Sequence, residues 1–343
     1  MIPQNAFEKS MALFLEPIAS LLEDGSVSEI LINGPAEVWI EKHGVLSRTS
    51  HVFPCSNSLN AALNNVSQFS GRPFNLEHPI LEARLPDGSR LEAVMPPIAH
   101  NGPAVSIRRF STSRLTVNDL VKNNSLSSSA AMFLARAISK KANLLISGGT
   151  GTGKTSLLQA LAGFFLDGER IVVLEDTHEI ELSKPHVVYL ESRAADEKGR
   201  GRIGIRELLH ATLRLRPDRI VVGEIRGSEA LDMLQAVTSG HGGSMTTVHA
   251  NSPRDALMRI ETMALMASED LPLPALRSQV VSAMDLVVQI ERNTSGRRRV
   301  TKISGVHKKL VDGNYQLRPL YVENNAGILE KWETQKAHEA AAS

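Results

Sequence analysis

The stretch from Asn143 to Phe165 reads NLLISGGTGTGKTSLLQALAGFF, and the rest of the chain is interpreted around it. It predicts a short apolar strand, then a glycine-rich turn, then a helix with leucines at helical spacing. The turn satisfies the pattern G-x-x-x-x-G-K-[ST] of a phosphate-binding loop, whose fixed positions are Gly148, Gly153, Lys154 and Thr155. A chance match is disfavoured because the flanking strand and helix are the context that this loop requires.

The residue types in this turn suit the binding of phosphate. Glycines let successive backbone N–H groups turn inward, and the following helix adds the positive end of its dipole. Lys154 is expected to reach the β- and γ-phosphates, and the Thr155 hydroxyl to coordinate Mg²⁺. The predicted nucleotide-binding residues are Gly148, Gly149, Thr150, Gly151, Thr152, Gly153, Lys154 and Thr155. The sequence therefore predicts that the chain binds a nucleoside triphosphate.

Length and composition describe an ordinary globular protein of more than one domain. The chain has 343 residues, more than one hydrophobic core usually supports, and it is 42% hydrophobic and 22% charged. Lysine and arginine total 38 against 37 aspartates and glutamates, for a formal net charge of +1. This balance gives no support for a protein wrapped around nucleic acid, although a local basic groove stays open.

Cysteine usage and hydropathy indicate the compartment. Cys55 is the only cysteine, which excludes an intramolecular disulfide and fits a reducing environment. The start, MIPQNAFEKS, lacks the basic and apolar regions of a signal peptide, and no apolar stretch is long enough to span a bilayer. We expect a cytoplasmic protein that reaches a membrane only through partners.

The first part of the chain predicts a small α+β domain over residues 1–110. Strands alternate with turn signals at Asn33-Gly34-Pro35 and Pro86-Asp87-Gly88, and a helix closes at Gly71. A polar, serine-rich stretch over 111–129 predicts a linker with one short helix.

Apolar strands alternate with amphipathic helices after the linker, which predicts a mostly parallel sheet covered on both faces. With a phosphate-binding loop after its first strand, this is an α/β, RecA-like ATPase core, assigned to 130–320 and followed by a C-terminal tail over 321–343.

Polar residues end three of the later apolar strands, where an open α/β sheet places its chemistry. Glu175 follows IVVL, Glu224 follows IVVG in the position of an acidic Walker B residue, and His249 ends SMTTV. A carboxylate there can hold Mg²⁺ or polarise the attacking water, and a neutral imidazole can hydrogen-bond a γ-phosphate. Taken singly, each has a structural alternative as a helix cap, a surface charge or a core histidine. Their joint occurrence in one sheet favours a shared site.

These segments resemble a known family. GGTGTGKT, LEDTHEIEL, LRLRPDRIVVGEIRG and SGHGGSMTTVHAN resemble, in order, the Walker A, Asp-box, Walker B and His-box motifs of the type II/type IV secretion ATPases. Within that superfamily, four segments are most similar to the CpaF-like ATPases of Tad (Flp) pilus assembly: EILINGPAEVWIEKHGVL, RLPDGSRLEAVMPPI, GPAVSIRRF and RPDRIVVGEIRGSEALDMLQAVTSGH. The resemblance extends from about Leu21 to Gly305.

The resemblance implies a hexameric ring of two-domain subunits, with ATP and Mg²⁺ bound between the domains. It implies that Glu175 and Glu224, with Thr155, handle Mg²⁺ and the attacking water, and that His249 senses the γ-phosphate. Arg108 and Arg109 lie where the superfamily supplies arginines to the nucleotide, which can stabilise transition-state charge. Weaker candidates, equally suited to ion pairs at interfaces, are Arg84, Arg90, Arg193, Arg214 and Arg216.

Two departures from the family pattern are His178 in the Asp box and Gly242 before the His box, and we expect neither to touch the site residues. The cluster Arg297-Arg298-Arg299 could bind nucleic acid or anionic lipid, but a solvated hairpin face is the favoured interpretation. No structural metal is expected.

Four hypotheses remain. The favoured one is a motor that uses ATP hydrolysis to drive an inner-membrane pilus or secretion platform from the cytoplasmic face. The ATPase of a conjugative or effector-exporting type IV system uses the same motor residues and stays open. A nucleic-acid motor is disfavoured by the near-neutral charge and only 4% aromatics, so no direct nucleic-acid partner is expected. A non-catalytic scaffold is disfavoured because the motor residues are intact.

Overall fold

The chain forms two compact units, Met1–Ser113 and Arg114–Ser343. The computed structural model describes residues 10–42, 44–109, 115–195, 199–267, 270–293 and 296–333. Each unit is built around its own sheet and core. Within the described ranges, no helix has both the length and the apolar character that crossing a bilayer requires.

The N-terminal unit is an antiparallel sheet with helices, which confirms the α+β prediction. Its sheet has the order β3-β2-β1-β6-β5-β4. The strands are β1 (Val27–Asn33), β2 (Val38–Lys42), β3 (Val45–Arg48), β4 (Ile80–Arg84), β5 (Arg90–Val94) and β6 (Ala104–Arg108). The helical elements of this unit include residues 10–14, a 3-10 turn (Glu16–Ile18), α1 (Ala19–Glu23) and α2 (Ser56–Ser70). Both predicted hairpin turns are confirmed, and α2 ends at Gly71, whose positive φ of 67° suits glycine.

The second unit holds the predicted phosphate-loop sheet. Its helices are α3 (Val117–Lys122), α4 (Ser128–Ser139), α5 (Lys154–Ala162), α6 (Ile205–Thr212), α7 (Glu229–Thr238), α8 (Pro253–Leu265) and α9 (Leu273–Ala283). Its strands are β7 (Leu144–Gly148), β8 (Ile171–Glu175), β9 (Val187–Glu191), β10 (Arg219–Val222), β11 (Met245–His249), β12 (Leu286–Arg292), β13 (Arg298–Val306), β14 (Leu317–Glu323) and β15 (Leu329–Lys331).

The described strands of this unit form one sheet with β7 at its centre. The order is β15-β14-β13-β12-β7-β11-β10-β8-β9. Strands β12, β7, β11, β10, β8 and β9 pair in parallel, whereas β13, β14 and β15 are antiparallel. Because parallel strands share one direction, the carboxyl ends of β7, β8, β10 and β11 meet at the same edge.

The sheet is buried on both faces, as its apolar strands predict. Leu145 packs on one side in a cluster that includes α7 and α8 residues, and Ile146 packs on the other side with α4 and α5 residues. Successive side chains of a strand point to opposite faces, so a fully buried strand such as β7 contributes to both cores. This sandwich fixes the position of the loop that follows β7.

The second unit includes more of the chain than the segment 130–320. Helix α3 begins with a capping box between Thr116 and Asp119, and the side chains of Leu120 and Leu126 are buried in the core with β7. The described part of the predicted linker therefore packs as part of this unit. At the other end, β14 and β15 extend the sheet into the predicted tail, as far as Lys331. Residues 334–343 of that tail lie outside the described residues.

Candidate active site

The phosphate loop follows β7 in a conformation that depends on its glycines. Gly151 and Gly153 have φ angles of 68° and 92°, in the left-handed region that side chains disfavour. A Cβ on Gly148 would meet the carbonyl oxygen of Ile290 and lie 2.7 Å from Thr152 Oγ1. Thr152 Oγ1 in turn donates to the Gly149 carbonyl at 2.9 Å. The loop is a tight cradle at the N-terminus of α5, an arrangement suited to phosphate.

Lys154 begins α5 and is only 7% exposed. Its Nζ donates to the Gly149 carbonyl at 2.8 Å and lies 3.2 Å from His249 Nδ1. Burial of an ammonium group costs free energy, and an anion bound beside it offsets that cost. The lysine is therefore held inside the loop in a setting that favours an anionic ligand.

His249 connects the lysine to the strand-end carboxylate of Glu224. Its Nε2 lies 2.8 Å from Glu224 Oε1. A neutral imidazole protonated at Nε2 satisfies both contacts, because it accepts from Lys154 at Nδ1 and donates to the carboxylate. Burial, and after it the charge of Lys154, lowers the pKa of His249, while Glu224 acts in the opposite direction. The predicted residues Lys154, Glu224 and His249 are thus brought together in one hydrogen-bonded chain.

Glu175 ends β8 and is 5% exposed. Its carboxyl accepts from the backbone N–H groups of Glu179 at 3.1 Å and Ile180 at 3.0 Å. Burial raises the pKa of Glu175 to about 8, although those two amides act to lower it. A Cβ on Gly223, beside Glu224, would lie 2.9 Å from Glu175 Cγ, so glycine at 223 leaves room for this side chain.

His178 contacts the site, contrary to the expectation from sequence. Its Nδ1 lies 3.3 Å from Glu175 Oε2, and its ring packs against Tyr189 with centroids 4.8 Å apart. The segment after β8 turns back on the strand end, as the amides that contact Glu175 also require, and this places position 178 beside the carboxyl group. Gly242 does lie away from the site, beside Lys141 at the amino ends of the strands.

Sequence reasoning missed Arg226. Its Nη2 donates to Glu224 Oε2 at 2.7 Å, and its Nη1 lies 3.8 Å from Asp176 Oδ2. The spacing Glu224-x-Arg226 in the segment GEIRG was the available signal, but an i, i+2 pair in a loop has no fixed geometry until the loop is folded. Arg226 therefore supplies an exposed positive charge between the ends of β8 and β10.

The Arg297-Arg298-Arg299 cluster is not simply a solvated hairpin face. Arg298 Nε donates to the Gly151 carbonyl of the phosphate loop at 2.9 Å, and Arg299 Nη2 pairs with Glu323 at 2.9 Å. The hydropathy pattern could not show these contacts because they join segments far apart in the chain.

The arginines predicted from the N-terminal unit lie on β6 and just after it. Arg108 is exposed and faces Glu29 and Arg90 in the strand register, while Arg109 Nη1 pairs with Asp87 at 3.2 Å. Their contribution to the nucleotide site stays a prediction, as it does for the weaker candidates Arg84, Arg90, Arg214 and Arg216. Arg193 Nε donates to the Gly201 carbonyl at 2.7 Å, which suits a structural role.

The donor set at the sheet edge fits Mg²⁺ as well as phosphate. The Thr155 hydroxyl lies in the first turn of α5, and the carboxyl groups of Glu175 and Glu224 supply oxygen, the ligand that Mg²⁺ prefers. A cation nearby would lower the pKa of Glu175 and favour its ionised form. Glycine cradle, buried lysine and carboxylates together suit a magnesium nucleotide.

Comparison with known proteins agrees with the motifs. The sequence profile described as type II/IV secretion system protein matches residues 13–326. A putative conjugal transfer protein of Mycobacterium tuberculosis is 35% identical over 303 residues, covering 87% of this chain and 85% of that protein. The type IV secretion system protein VirB11 of Bartonella henselae is 33% identical over 330 residues, covering 84% and 91%.

The fold has a counterpart among solved structures. The X-ray structure of the Legionella pneumophila ATPase DotB aligns with a TM-score of 0.60 at 19% identity, over 87% of this chain and 81% of that one. At that identity the likeness shows the fold alone, and it supports a RecA-like core preceded by a smaller N-terminal domain. The sequence profile and the identities above 30% show more: this chain belongs to the type II/type IV secretion ATPase superfamily.

Proposed function

We propose that the chain binds ATP with Mg²⁺ at the phosphate loop and hydrolyses it to ADP and phosphate. The observation that carries this is the chain Lys154–His249–Glu224, with contacts of 3.2 and 2.8 Å, at the edge where β8, β10 and β11 end. It links the residue expected to hold phosphate to two strand ends. Membership of the secretion ATPase superfamily supports the same reaction.

The side chains suggest a division of roles. Lys154 neutralises phosphate charge, and Thr155 with Glu224 would hold the metal, which would supply further positive charge to the phosphates. Burial raises the pKa of Glu175 and a cation beside it would lower that pKa again, so that its ionised carboxylate could orient the attacking water and take its proton. His249, neutral and fixed between Lys154 and Glu224, can report on the γ-phosphate to both. Arg108 and Arg109 stabilise charge in the transition state.

We further propose that six subunits form a ring that drives a pilus or secretion platform from the cytoplasmic face of the inner membrane, and that the ring reaches the membrane only through partners. The Tad (Flp) pilus is the favoured machine because several segments of the N-terminal unit resemble the CpaF-like branch. A conjugative or effector-exporting type IV system is the second candidate, favoured by relatives described as a conjugal transfer protein and as VirB11.

Substitution of Lys154 by alanine tests the enzymatic proposal. Loss of the buried ammonium should lower phosphate release from ATP by at least about a hundredfold, as for other preorganised charge-stabilising groups. The exposed residue Lys140 provides the control, since Lys140→Ala removes an equal charge outside the loop. Hydrolysis by Lys154→Ala at the rate of the control would contradict the assignment.

Crosslinking of the tagged protein in its native cells tests the machine. Recovery of a paired pilus platform with small pilins would support the Tad assignment. Recovery of conjugation-channel subunits or a coupling protein would replace the machine and keep the site assignments. Normal pilus assembly in a strain carrying Lys154→Ala would rule out the pilus motor.

A further inference from the structure

The hairpin of β12 and β13 places two arginines against the phosphate loop. Arg292 and Arg298 are directly opposite each other in the strand register. Arg298 Nε donates to the Gly151 carbonyl at 2.9 Å, and its Cδ lies 3.3 Å from a Cβ built on Gly153. Arg292 Nη1 lies 3.8 Å from a Cβ built on Gly151. One hairpin thus brings two guanidinium groups beside the glycines of the phosphate loop.

The contact of Arg298 bears on how the loop is shaped. A phosphate loop works because its N–H groups face inward, which requires carbonyl groups to face outward. Gly151, with φ of 68°, is free to rotate its peptide in a way that other residues are not. The Arg298 guanidinium on the Gly151 carbonyl holds that peptide in one orientation before nucleotide arrives, and such preorganisation improves binding.

The backbone of Arg298 is in turn held by the segment that follows the unit boundary. Ser125 Oγ donates to the Arg298 carbonyl at 2.7 Å, and the Val300 N–H donates to the Ser125 carbonyl at 2.9 Å. Ser125 is fixed between Leu120 and Leu126, both buried in the core. A displacement of residues 115–126 is therefore transmitted to the β13 backbone at Arg298.

We propose that Arg298 is a positioning residue of the phosphate loop, and that its anchor at Ser125 makes nucleotide affinity depend on the segment leading out of the N-terminal unit. The inference rests on nucleotide binding at this loop, as proposed above. In this proposal the β12–β13 hairpin helps the loop to bind a nucleoside di- or triphosphate. The position of the segment 115–126 then affects the shape of the loop through Ser125 and Arg298.

The test is titration of the full-length protein with a fluorescent ADP analogue, together with steady-state ATP hydrolysis. Arg298→Ala should weaken ADP binding and raise the KM for ATP by about tenfold, in line with loss of a charge-assisted hydrogen bond. The kcat should stay within about twofold, because the lost contact serves ground state and transition state alike. Arg297→Ala, a change of equal charge at an exposed position of the same hairpin, should behave as wild type.

Two further variants test whether the hydrogen bond of Arg298, rather than its positive charge or a change in folding, determines the affinity for nucleotide. Arg298→Lys keeps the charge but cannot reproduce the Nε donor, so it should bind ADP at least about fivefold more weakly than wild type. Ser125→Ala removes only the bond to the Arg298 carbonyl and should weaken binding by about threefold. In the double variant with Arg298→Ala the effects should not multiply, since both act through one contact.

Wild-type affinity in Arg298→Ala, or full rescue by lysine, would overturn the positioning role. If the losses of ADP affinity caused by Ser125→Ala and Arg298→Ala multiplied in the double variant, the proposed connection between Ser125 and the loop through Arg298 would be overturned. These outcomes differ from failure of the proposed function itself, in which Lys154→Ala would bind ADP as the wild type does.

Discussion

Two groups of buried charge lie at opposite ends of the same parallel strands. At the amino ends, Arg219 is 0% exposed and donates from Nε to both carboxylate oxygens of Glu169 at 3.0 Å. At the carboxyl ends, Lys154 is 7% exposed and contacts the Gly149 carbonyl and the imidazole of His249. Both groups bury a cation in the same sheet, but they differ in how the cation is paired.

The amino-end pair has further contacts around it. Arg219 Nη1 donates to the Gly243 carbonyl at 3.1 Å, and the guanidinium carbon lies 4.8 Å from the centre of the Phe165 ring. Glu169 also accepts from the Leu166 N–H at 3.0 Å. The two opposite charges of this pair compensate each other without a ligand. The carboxyl-end group has a buried lysine inside a glycine-rich loop and, at Glu175, a carboxyl group with a raised pKa, and both features are typical of a functional site. Burial of charge alone does not separate the two.

The largest effect is expected from breaking the amino-end pair. Arg219→Met leaves Glu169 buried without its main partner and should lower the free energy of unfolding by about 3–5 kcal/mol. Chemical denaturation measures it. Arg219→Met combined with Glu169→Gln removes both charges and should recover part of the loss. A loss below about 1 kcal/mol for Arg219→Met would mean that this buried pair stabilises the fold no more than an exposed ion pair does.

A smaller loss is expected from crowding the same pair. Gly243→Ala combines a positive φ of 87° with a Cβ that meets Arg219 Nη1 and lies 3.0 Å from Lys141 Cα. Because Arg219 has no room to move, we expect about 2–3 kcal/mol of destabilisation. Gly240 is the matched control: its φ is 111°, and a Cβ there has nothing within 4 Å. Equal costs for Gly240→Ala and Gly243→Ala would show that only backbone strain matters.

The carboxyl-end group should instead respond to pH. Glu175 has a pKa of about 8 in the folded chain against an ordinary value of 4.5, so the folded state binds a proton that the unfolded state has lost. Stability should therefore fall as pH rises through this window, by about 1 kcal/mol between pH 7 and pH 8. Glu175→Gln should remove that part of the pH dependence. Identical stability profiles for wild type and variant would contradict a raised pKa.

The smallest effect on stability is expected at Lys154. Lys154→Met keeps most of the apolar stem and removes a buried charge, whose desolvation opposes folding. The free energy of unfolding should stay within about 1 kcal/mol of wild type, or rise, while ATP hydrolysis is lost. Thermal melting paired with a phosphate-release assay checks both. If Lys154→Met lowered the free energy of unfolding as much as Arg219→Met does, both buried cations would have to be regarded as stabilising the fold.

Much of this arrangement follows from local sequence. The glycine pattern predicts the cradle after β7, and the apolar strands ending in Glu175, Glu224 and His249 predict one shared edge, because parallel strands align their ends. These features depend on short-range signals and on one topological rule, so a single sequence suffices to locate them.

The remaining contacts depend on which distant side chains meet. Arg219 lies in the segment RPDRIVV and is indistinguishable there from a surface charge, yet Glu169, 50 residues away, buries with it. Arg298 reaches Gly151 across 147 residues. His178 acquires its contact with Glu175 only through the turn that follows β8. No period or spacing encodes such pairings, because they follow from the completed packing.

The central position of β7 has a consequence for synthesis on the ribosome. Its flanking strands β11 and β12 come much later in the chain, and the Asn143 N–H bonds to the side chain of Asp285, 142 residues on. At ordinary translation rates the phosphate loop waits roughly 5–20 s for β11 and roughly 7–30 s for β12. Until β11 is made the strand lacks both of its partners, which exposes it to chaperones and to aggregation. A nascent chain therefore has no ordered nucleotide site until most of its second unit has been made.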